Sequence, residues 1–250
     1  MTIKELERLY AAGRWSAKLQ EQCRLDTRAG VQKLVRRWER EAQERARVEA
    51  LYRYEFLARE KGCMLVAGVD EAGRGPLAGP VVVAAAILPV GLFLPHLNDS
   101  KKLSATAREQ LFSAILESAV AVEIVSISER IIDEKNIYQA TKQGMCEAVA
   151  ALKPQPQQVL IDAVPLQLPM PSLSLVHGDA KSASIAAASI VAKVARDRLM
   201  LAYDEEYPQY GFGKHKGYGT AEHLDALRKY GPCPIHRRTF EPIRSMATQI

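Results

Sequence analysis

The sequence predicts an α/β fold: a mixed β-sheet flanked by helices, preceded by an N-terminal helical extension. Three observations carry that expectation. Residues 3–61 alternate charged and apolar side chains at helical spacing. Residues 64–69 and 81–88 are short β-branched runs bounded by Gly62, Pro80 and Pro89. Beyond residue 104, helix patterns alternate with strand patterns, the order that lays helices over a sheet.

The elements follow in chain order. Leu6, Leu9 and Tyr10 keep a short helical spacing that Gly13 ends. Between residues 31 and 57, charged residues alternate with Leu34, Val35, Trp38, Val48, Leu51, Tyr52 and Phe56, which reads as one or two amphipathic helices. Lys61-Gly62 closes this segment, because glycine commonly terminates helices. The expected division is therefore an extension over 1–62 and a main domain over 63–250. In the main domain, residues 64–69 and 81–88 are strands flanking a loop or tight turn at 70–76. Helix over 104–119, strand over 120–127 and helix over 129–152 follow, the last broken near Lys135-Asn136. Residues 158–162 form a short strand ending on an acid, and 173–176 another. A long Ala- and Ile-rich helix is expected over 182–203, and a short one over 221–229.

Composition narrows the function classes. With 48% hydrophobic and 25% charged residues, the chain has ordinary globular values. The net charge of +5 is unevenly placed: residues 1–61 carry 15 Lys+Arg against 10 Asp+Glu, and the remainder carries 19 of each. A basic helical segment beside a neutral body suits a polyanion, since neutralising phosphates releases counterions. A solvated amphipathic helix accounts for the charge equally well. Cys23, Cys63, Cys146 and Cys233 lie far apart, which argues against a zinc ribbon and against a disulfide framework. The first 15 residues place four charges within 4–8, unlike a signal peptide. The longest weakly polar run, 75–95, is interrupted by Pro80, Pro89 and Gly91, unlike a membrane span. A cytoplasmic location with no membrane partner is the expectation.

Chemistry is expected from acids that stand where apolar strands end: Asp70 with Glu71, Asp162, and Asp179. Strand ends are rigid, so their side chains can converge, and hard divalent cations take several carboxylate oxygens. Each acid alone is as well explained as a turn former or helix cap. Together they would repel one another without a cation, which makes the set an improbable structural ornament.

Those acids sit inside longer motifs. Asp70-Glu71-Ala72-Gly73-Arg74-Gly75-Pro76-Leu77-Ala78-Gly79-Pro80 resembles the opening signature of the ribonuclease HII family. Asp99-Ser100-Lys101-Lys102-Leu103 and Leu160-Ile161-Asp162-Ala163 are similar to its next blocks. Gly178-Asp179-Ala180-Lys181-Ser182 with the run from Ile185 to Val194 and Arg196-Asp197-Arg198 resembles the fourth, and Lys216-Gly217-Tyr218-Gly219-Thr220 with His223 the fifth. The five blocks occur in family order over 63–245, and the basic N-terminal helices match some members more loosely. His177 stands where lysine is commoner in the family.

The resemblance implies an RNase H-like fold and a type 2 ribonuclease H. It makes Asp70, Glu71, Asp162 and Asp179 both catalytic and metal-binding, holding two divalent ions, Mg²⁺ or Mn²⁺. The substrate it implies is an RNA–DNA hybrid or ribonucleotide-containing duplex DNA, cut to leave 3′-hydroxyl and 5′-phosphate ends. It implies no obligate protein partner and a monomer. Gly73-Arg74-Gly75 favours this family over ribonuclease HIII, whose loop differs, and with it cutting 5′ to a single embedded ribonucleotide.

RNA differs from DNA by one 2′-hydroxyl, so selectivity requires contacts to it. Gly73 and Gly75 let backbone approach a sugar closely, and Arg74 offers a planar donor fork. A glycine turn needed only for packing explains the two glycines equally well. Tyr218 between two glycines suits stacking on a sugar or base, with a core or hairpin-tip tyrosine as the alternative. Lys101, Lys181, Lys193 and Arg196 are expected to contact phosphate. His177, His215 and His223 lack metal-ligand spacing, and Ser184 and Ser189 read as small packing residues. Three other readings stay open: a ribonuclease HIII-like hybrid nuclease, a two-metal DNA nuclease or integrase-like transferase on the same fold class, and a non-catalytic nucleic-acid-binding module whose acids are turn formers.

Overall fold

The structure, a computed structural model, describes residues 1–247. Residues 248–250, which close the expected 63–250 domain, lie outside the described residues. The chain divides into two compact units, Met1–Glu49 and Ala50–Ile250.

In the first unit, Thr2 opens helix α1 (Ile3–Ala11) with a capping box: its hydroxyl accepts from the Glu5 amide and the Glu5 carboxylate accepts from its own amide. Ser16 caps α2 (Ala17–Arg24), and α3 (Ala29–Leu51) follows. Their apolar stripes meet in a small core of Leu6, Leu19, Cys23, Val31, Leu34, Val35 and Trp38. The Tyr10, Trp15 and Trp38 rings pack against one another with centroids 4.2–6.0 Å apart.

The second unit begins ahead of the expected boundary near residue 62. Helix α4 (Arg53–Glu60), which its charge pattern groups with the extension, buries Ala58 against Val66, Leu160, Leu175 and Ile185 of the second unit. The sheet consists of β1 (Val66–Ala72), β2 (Val81–Ile87), β3 (Ala121–Ile127), β4 (Gln158–Asp162) and β5 (Ser172–Leu175), in the order β3-β2-β1-β4-β5. β1 pairs antiparallel with β2 and parallel with β4, so the sheet is mixed as expected. Between β2 and β5 come α5 (Ala105–Ser118), α6 (Glu129–Lys135) and α7 (Ile137–Ala151). The expected break near Lys135-Asn136 separates α6 from α7. Asn136 adopts φ 71 there, and its side chain caps α7 by accepting from the Gln139 amide. After β5 come α8 (Ala183–Glu206), α9 (Phe212–His215), α10 (Ala221–Tyr230) and α11 (Ile243–Ala247). The short α9 and α11 carry too few residues for a periodic signal, and the sequence pattern misses both.

The period-2 alternation of β1 sends its residues to two faces. Ala67 and Val69 join Val83, Ala85, Val159 and Ile161 against Met145, Ala148 and Val149 of α7. Gly68 and Asp70 face α8. A Cβ on Gly68 would lie 2.0 Å from the Ser184 carbonyl carbon and 2.2 Å from the Ile185 nitrogen. The Ala- and Ser-rich sequence of α8 thus reflects a helix backbone seated directly on the central strand. Buried Glu55 of α4 fixes the start of that helix: its Oε1 accepts from the Ser182 hydroxyl at 2.6 Å and from the Ser184 amide at 2.9 Å. Among the described residues no helix is long and apolar enough to cross a membrane.

Candidate active site

Asp70 and Glu71 lie inside β1, opposite Ala84 and Val83 of β2, and not in a loop after the strand as expected. Antiparallel pairing continues through Ala72, so a polar stretch that resembles a turn is held extended by its neighbour. Asp162 ends β4, the parallel neighbour of β1. Its Oδ1 accepts from the Gly178 amide at 2.7 Å. That bond draws in the 3₁₀ turn Gly178–Ala180, which follows His177 in the left-handed region at φ 56. Asp179 sits on this turn. Carboxylate oxygens of Asp70, Asp162 and Asp179 consequently lie within 4.8 Å of one another. Glu71 is not part of that triple and stands beside it.

Electrostatics of the cluster favour a positive charge among the acids. Burial, with the charges of Glu71 and Asp162, raises the Asp70 carboxyl well above the carboxylate range. Burial also raises Glu71, against the neighbouring Arg74 and with the help of Asp162. Asp179 rises through burial and the nearby charges of Asp99 and Asp162. The buried Oε2 of Glu71 has no hydrogen-bond partner. An all-oxygen donor set, mutual repulsion and an orphaned carboxylate oxygen suit a hard divalent cation.

A cleft of about 210 Å³ opens beside the acids, lined by Glu71, Ala72, Gly73, Arg74, Gly75, Ser100, Lys101, Ser189, Lys193, Arg196 and Tyr218. It gathers every expected substrate residue except Lys181, whose Nζ donates to the Val176 carbonyl at 2.7 Å. Arg74 is half-exposed and lies 3.4 Å from Glu71 Oε1. Partial burial works against the Lys101 charge, yet Asp99, Asp179, Asp70 and Asp162 together raise its pKa. Lys193 pairs with Asp197 one turn on, at 2.7 Å. Tyr218 is 46% exposed, with its ring beside Gly75. Gly73 is required twice over: its φ is +97, and a Cβ would lie 1.9 Å from Arg196 Nε. Gly75 carries neither constraint.

Arg196 differs from the expectation of an exposed phosphate contact. It is 1% exposed and donates to the carbonyls of Pro80, Ala78 and Lys216 at 3.0–3.1 Å. Its guanidinium ties the loop after β1 to the Gly217-Tyr218 segment, and it reaches the cleft only as part of the wall.

Several site residues carry no signal of their own in the sequence. Asp99 adds a further carboxylate beside Asp179. Ser189, read as a packing residue, hydrogen-bonds Asp70 and lies 3.0 Å from the Ser100 hydroxyl. Both pairs join residues far apart in the chain, and only membership of a matched block marked Asp99 and Ser100. The histidines also acquire a place. His223 Nδ1 donates to the Tyr218 carbonyl at 2.9 Å, and its Nε2 accepts from His236 Nε2 at 3.0 Å. His236 Nδ1 in turn accepts from the Cys233 amide at 2.9 Å. This single consistent tautomer chain anchors the Tyr218 backbone from behind. Burial first, with neighbouring histidine charge, lowers both rings to about 4, so they are neutral at physiological pH.

Comparisons with known proteins agree with this geometry. The family model described as Ribonuclease HII matches residues 67–243, and the one described as Ribonuclease HII N-terminal domain matches 2–59. The chain is 50% identical over 249 residues to Ribonuclease HII of Geobacillus kaustophilus (strain HTA426), covering 98% of this chain and 96% of the relative. Among solved structures, ribonuclease H2 from Pyrococcus horikoshii OT3 matches with a TM-score of 0.63 at 28% identity, covering 74% of this chain and 98% of that one. The RNase HII of Archaeoglobus fulgidus, solved as a complex with PCNA, matches with a TM-score of 0.60 at 27% identity, covering 71% and 95%. An RNase H-like mixed sheet, the clustered acids and a match along nearly the whole chain place it in the ribonuclease HII family of endonucleases.

Proposed function

We propose that this chain hydrolyses RNA paired with DNA and cuts 5′ to a ribonucleotide embedded in duplex DNA, leaving 3′-hydroxyl and 5′-phosphate ends. The observation that carries the reading is the convergence of three aspartate carboxylates within 4.8 Å beside a cleft walled by Gly73, Arg74 and Gly75. Asp70, Asp162 and Asp179, with Glu71 adjoining, would hold two divalent cations, Mg²⁺ or Mn²⁺. Such ions supply Lewis-acid stabilisation of charge on phosphate oxygens and a water acidic enough to attack at neutral pH.

The protein's own groups do the rest. Strand pairing and the Ser189 hydrogen bond hold Asp70 in place, and the Gly178 amide orients Asp162, so the acids are preorganised. Backbone N–H groups of the glycine-flanked loop recognise the 2′-hydroxyl. Arg74 and Lys101 face the neighbouring phosphates, and the Tyr218 ring stacks at the RNA–DNA junction.

The test is a DNA duplex bearing one ribonucleotide, incubated with and without Mg²⁺ or Mn²⁺, with the nick mapped to the nucleotide. A nick 5′ to the ribonucleotide that requires metal is the expected result. Metal-independent binding without a nick, or equal cutting of all-DNA duplex, removes the proposal.

A further inference from the structure

We propose that Arg237 is a positioning residue for ribose recognition: its buried guanidinium turns the Arg74 and Gly75 amides toward the cleft. The inference rests on the proposed reading of the 2′-hydroxyl by the 73–75 loop and adds the residue that makes that reading possible.

Arg237 is fully buried, at 0% exposure, with its guanidinium over the Phe240 ring. Its guanidinium reaches back across 164 positions of sequence to the loop after β1. Nη2 donates to the Gly73 carbonyl at 2.6 Å, Nη1 to the Arg74 carbonyl at 2.8 Å, and Nε and Nη2 to the Gly79 carbonyl at 3.0 and 2.8 Å. Backbone bonds hold the two segments in register: the Arg237 amide donates to the Leu77 carbonyl at 2.9 Å, and the Gly79 amide to the Ile235 carbonyl at 2.9 Å.

The peptide plane supplies the consequence. In a trans peptide the carbonyl of one residue and the amide of the next point in opposite directions. Tying the Gly73 and Arg74 carbonyls inward therefore aims the Arg74 and Gly75 N–H groups outward. Those residues line the cleft, and neither amide donates to a backbone acceptor among the described residues. Two adjacent donors held at fixed angles can discriminate a hydroxyl, whereas donors on a mobile glycine loop would lose the advantage to reorganisation.

A planar fork with five donors is needed because three carbonyls must be met at once. Lysine would keep the charge and meet them only partly. Arg196 lies alongside, equally buried and bound to the carbonyls of Ala78, Pro80 and Lys216. Two guanidinium groups thus brace one loop. Burying like charges side by side is costly, and a structural turn could have been satisfied by neutral groups.

The experiment compares wild type with Arg237→Lys on two duplexes, one with a single ribonucleotide and one with a 2′-deoxy-2′-fluoro nucleotide at the same site. The ratio of kcat/KM values on the two duplexes is the readout, because a general loss of stability lowers both substrates alike. Wild type should favour the ribonucleotide, and Arg237→Lys should reduce that preference at least tenfold with the Mn²⁺ concentration for half-maximal activity unchanged. A wild type that cuts both duplexes equally removes ribose reading by the loop, and Arg237's part with it. A wild type that discriminates, beside an Arg237→Lys that discriminates within twofold as well, overturns Arg237's part alone. Should that variant not fold, hydrogen exchange at the wild-type Arg237 side chain decides. An Nε–H as slow to exchange as the β1 amides supports the brace, and exchange at the rate of a solvent-exposed guanidinium overturns it.

Discussion

At the scale of single residues, the candidate active site is built against stability. Asp70 is buried with its carboxyl raised by burial and by the Glu71 and Asp162 charges, so its ionised form is unwelcome without a cation. The folded state then binds more protons than the unfolded one between the ordinary carboxylate pKa and the raised value. Stability of the metal-free protein should fall as pH rises through that window. Asp70→Asn removes the repulsion while keeping the shape. Its metal-free Tm should rise, by roughly 2–4 °C for each kcal/mol recovered, while turnover on a ribonucleotide-bearing duplex drops at least a hundredfold. Calorimetry in chelator and a nicking assay check the two halves. A variant retaining a tenth of wild-type kcat would remove Asp70 from the metal site. The acids themselves are legible in the sequence because each closes an apolar strand or follows one. Arg237 is not, because its meaning lies in carbonyls 158–164 positions away.

Between elements, close approach is the governing theme. β1 and α8 meet at Gly68 with no room for a methyl group. Gly68→Ala must push the helix off the strand that carries Asp70, and overpacking of this kind costs about 3 kcal/mol. Chemical denaturation should show that loss together with reduced turnover, and an unchanged midpoint would mean the contact relaxes freely. α10 and the segment behind it carry an acid-sensitive pair. His223 and His236 are lowered to about 4 by burial, below the 6.5 of a free ring. Between those values the unfolded state binds more protons, so stability is complete above about 6.5 and is lost as pH falls towards 4. The loss is on the order of 3 kcal/mol for each ring. Urea unfolding from pH 7 to 4.5 should show this decline, and His236→Asn should flatten it. An equally steep decline in the variant would assign the acid sensitivity elsewhere.

For the whole molecule, charge is divided along the chain. Residues 1–49 form their own compact unit and carry 12 Lys+Arg against 8 Asp+Glu. A phosphate-contacting role predicts that removing them raises KM and flattens its salt dependence, by about 0.9 in log–log slope for each lost contact. Truncation should stop at 49, because α4 contributes Glu55 to the start of α8. An unaltered salt slope would make the unit structural only.

Fold class, family and the candidate acids are all legible in the primary structure. Strand and helix periodicities are local, and the motifs carry their chemistry within a few residues. It takes the folded chain to show that Asp70 and Glu71 remain within a paired strand, that Arg196 is bound to backbone carbonyls, and that Asp99 and Ser189 border the acids. Each of these follows from a hydrogen bond or a charge between distant segments, and folding sets such pairings through burial rather than through sequence neighbours.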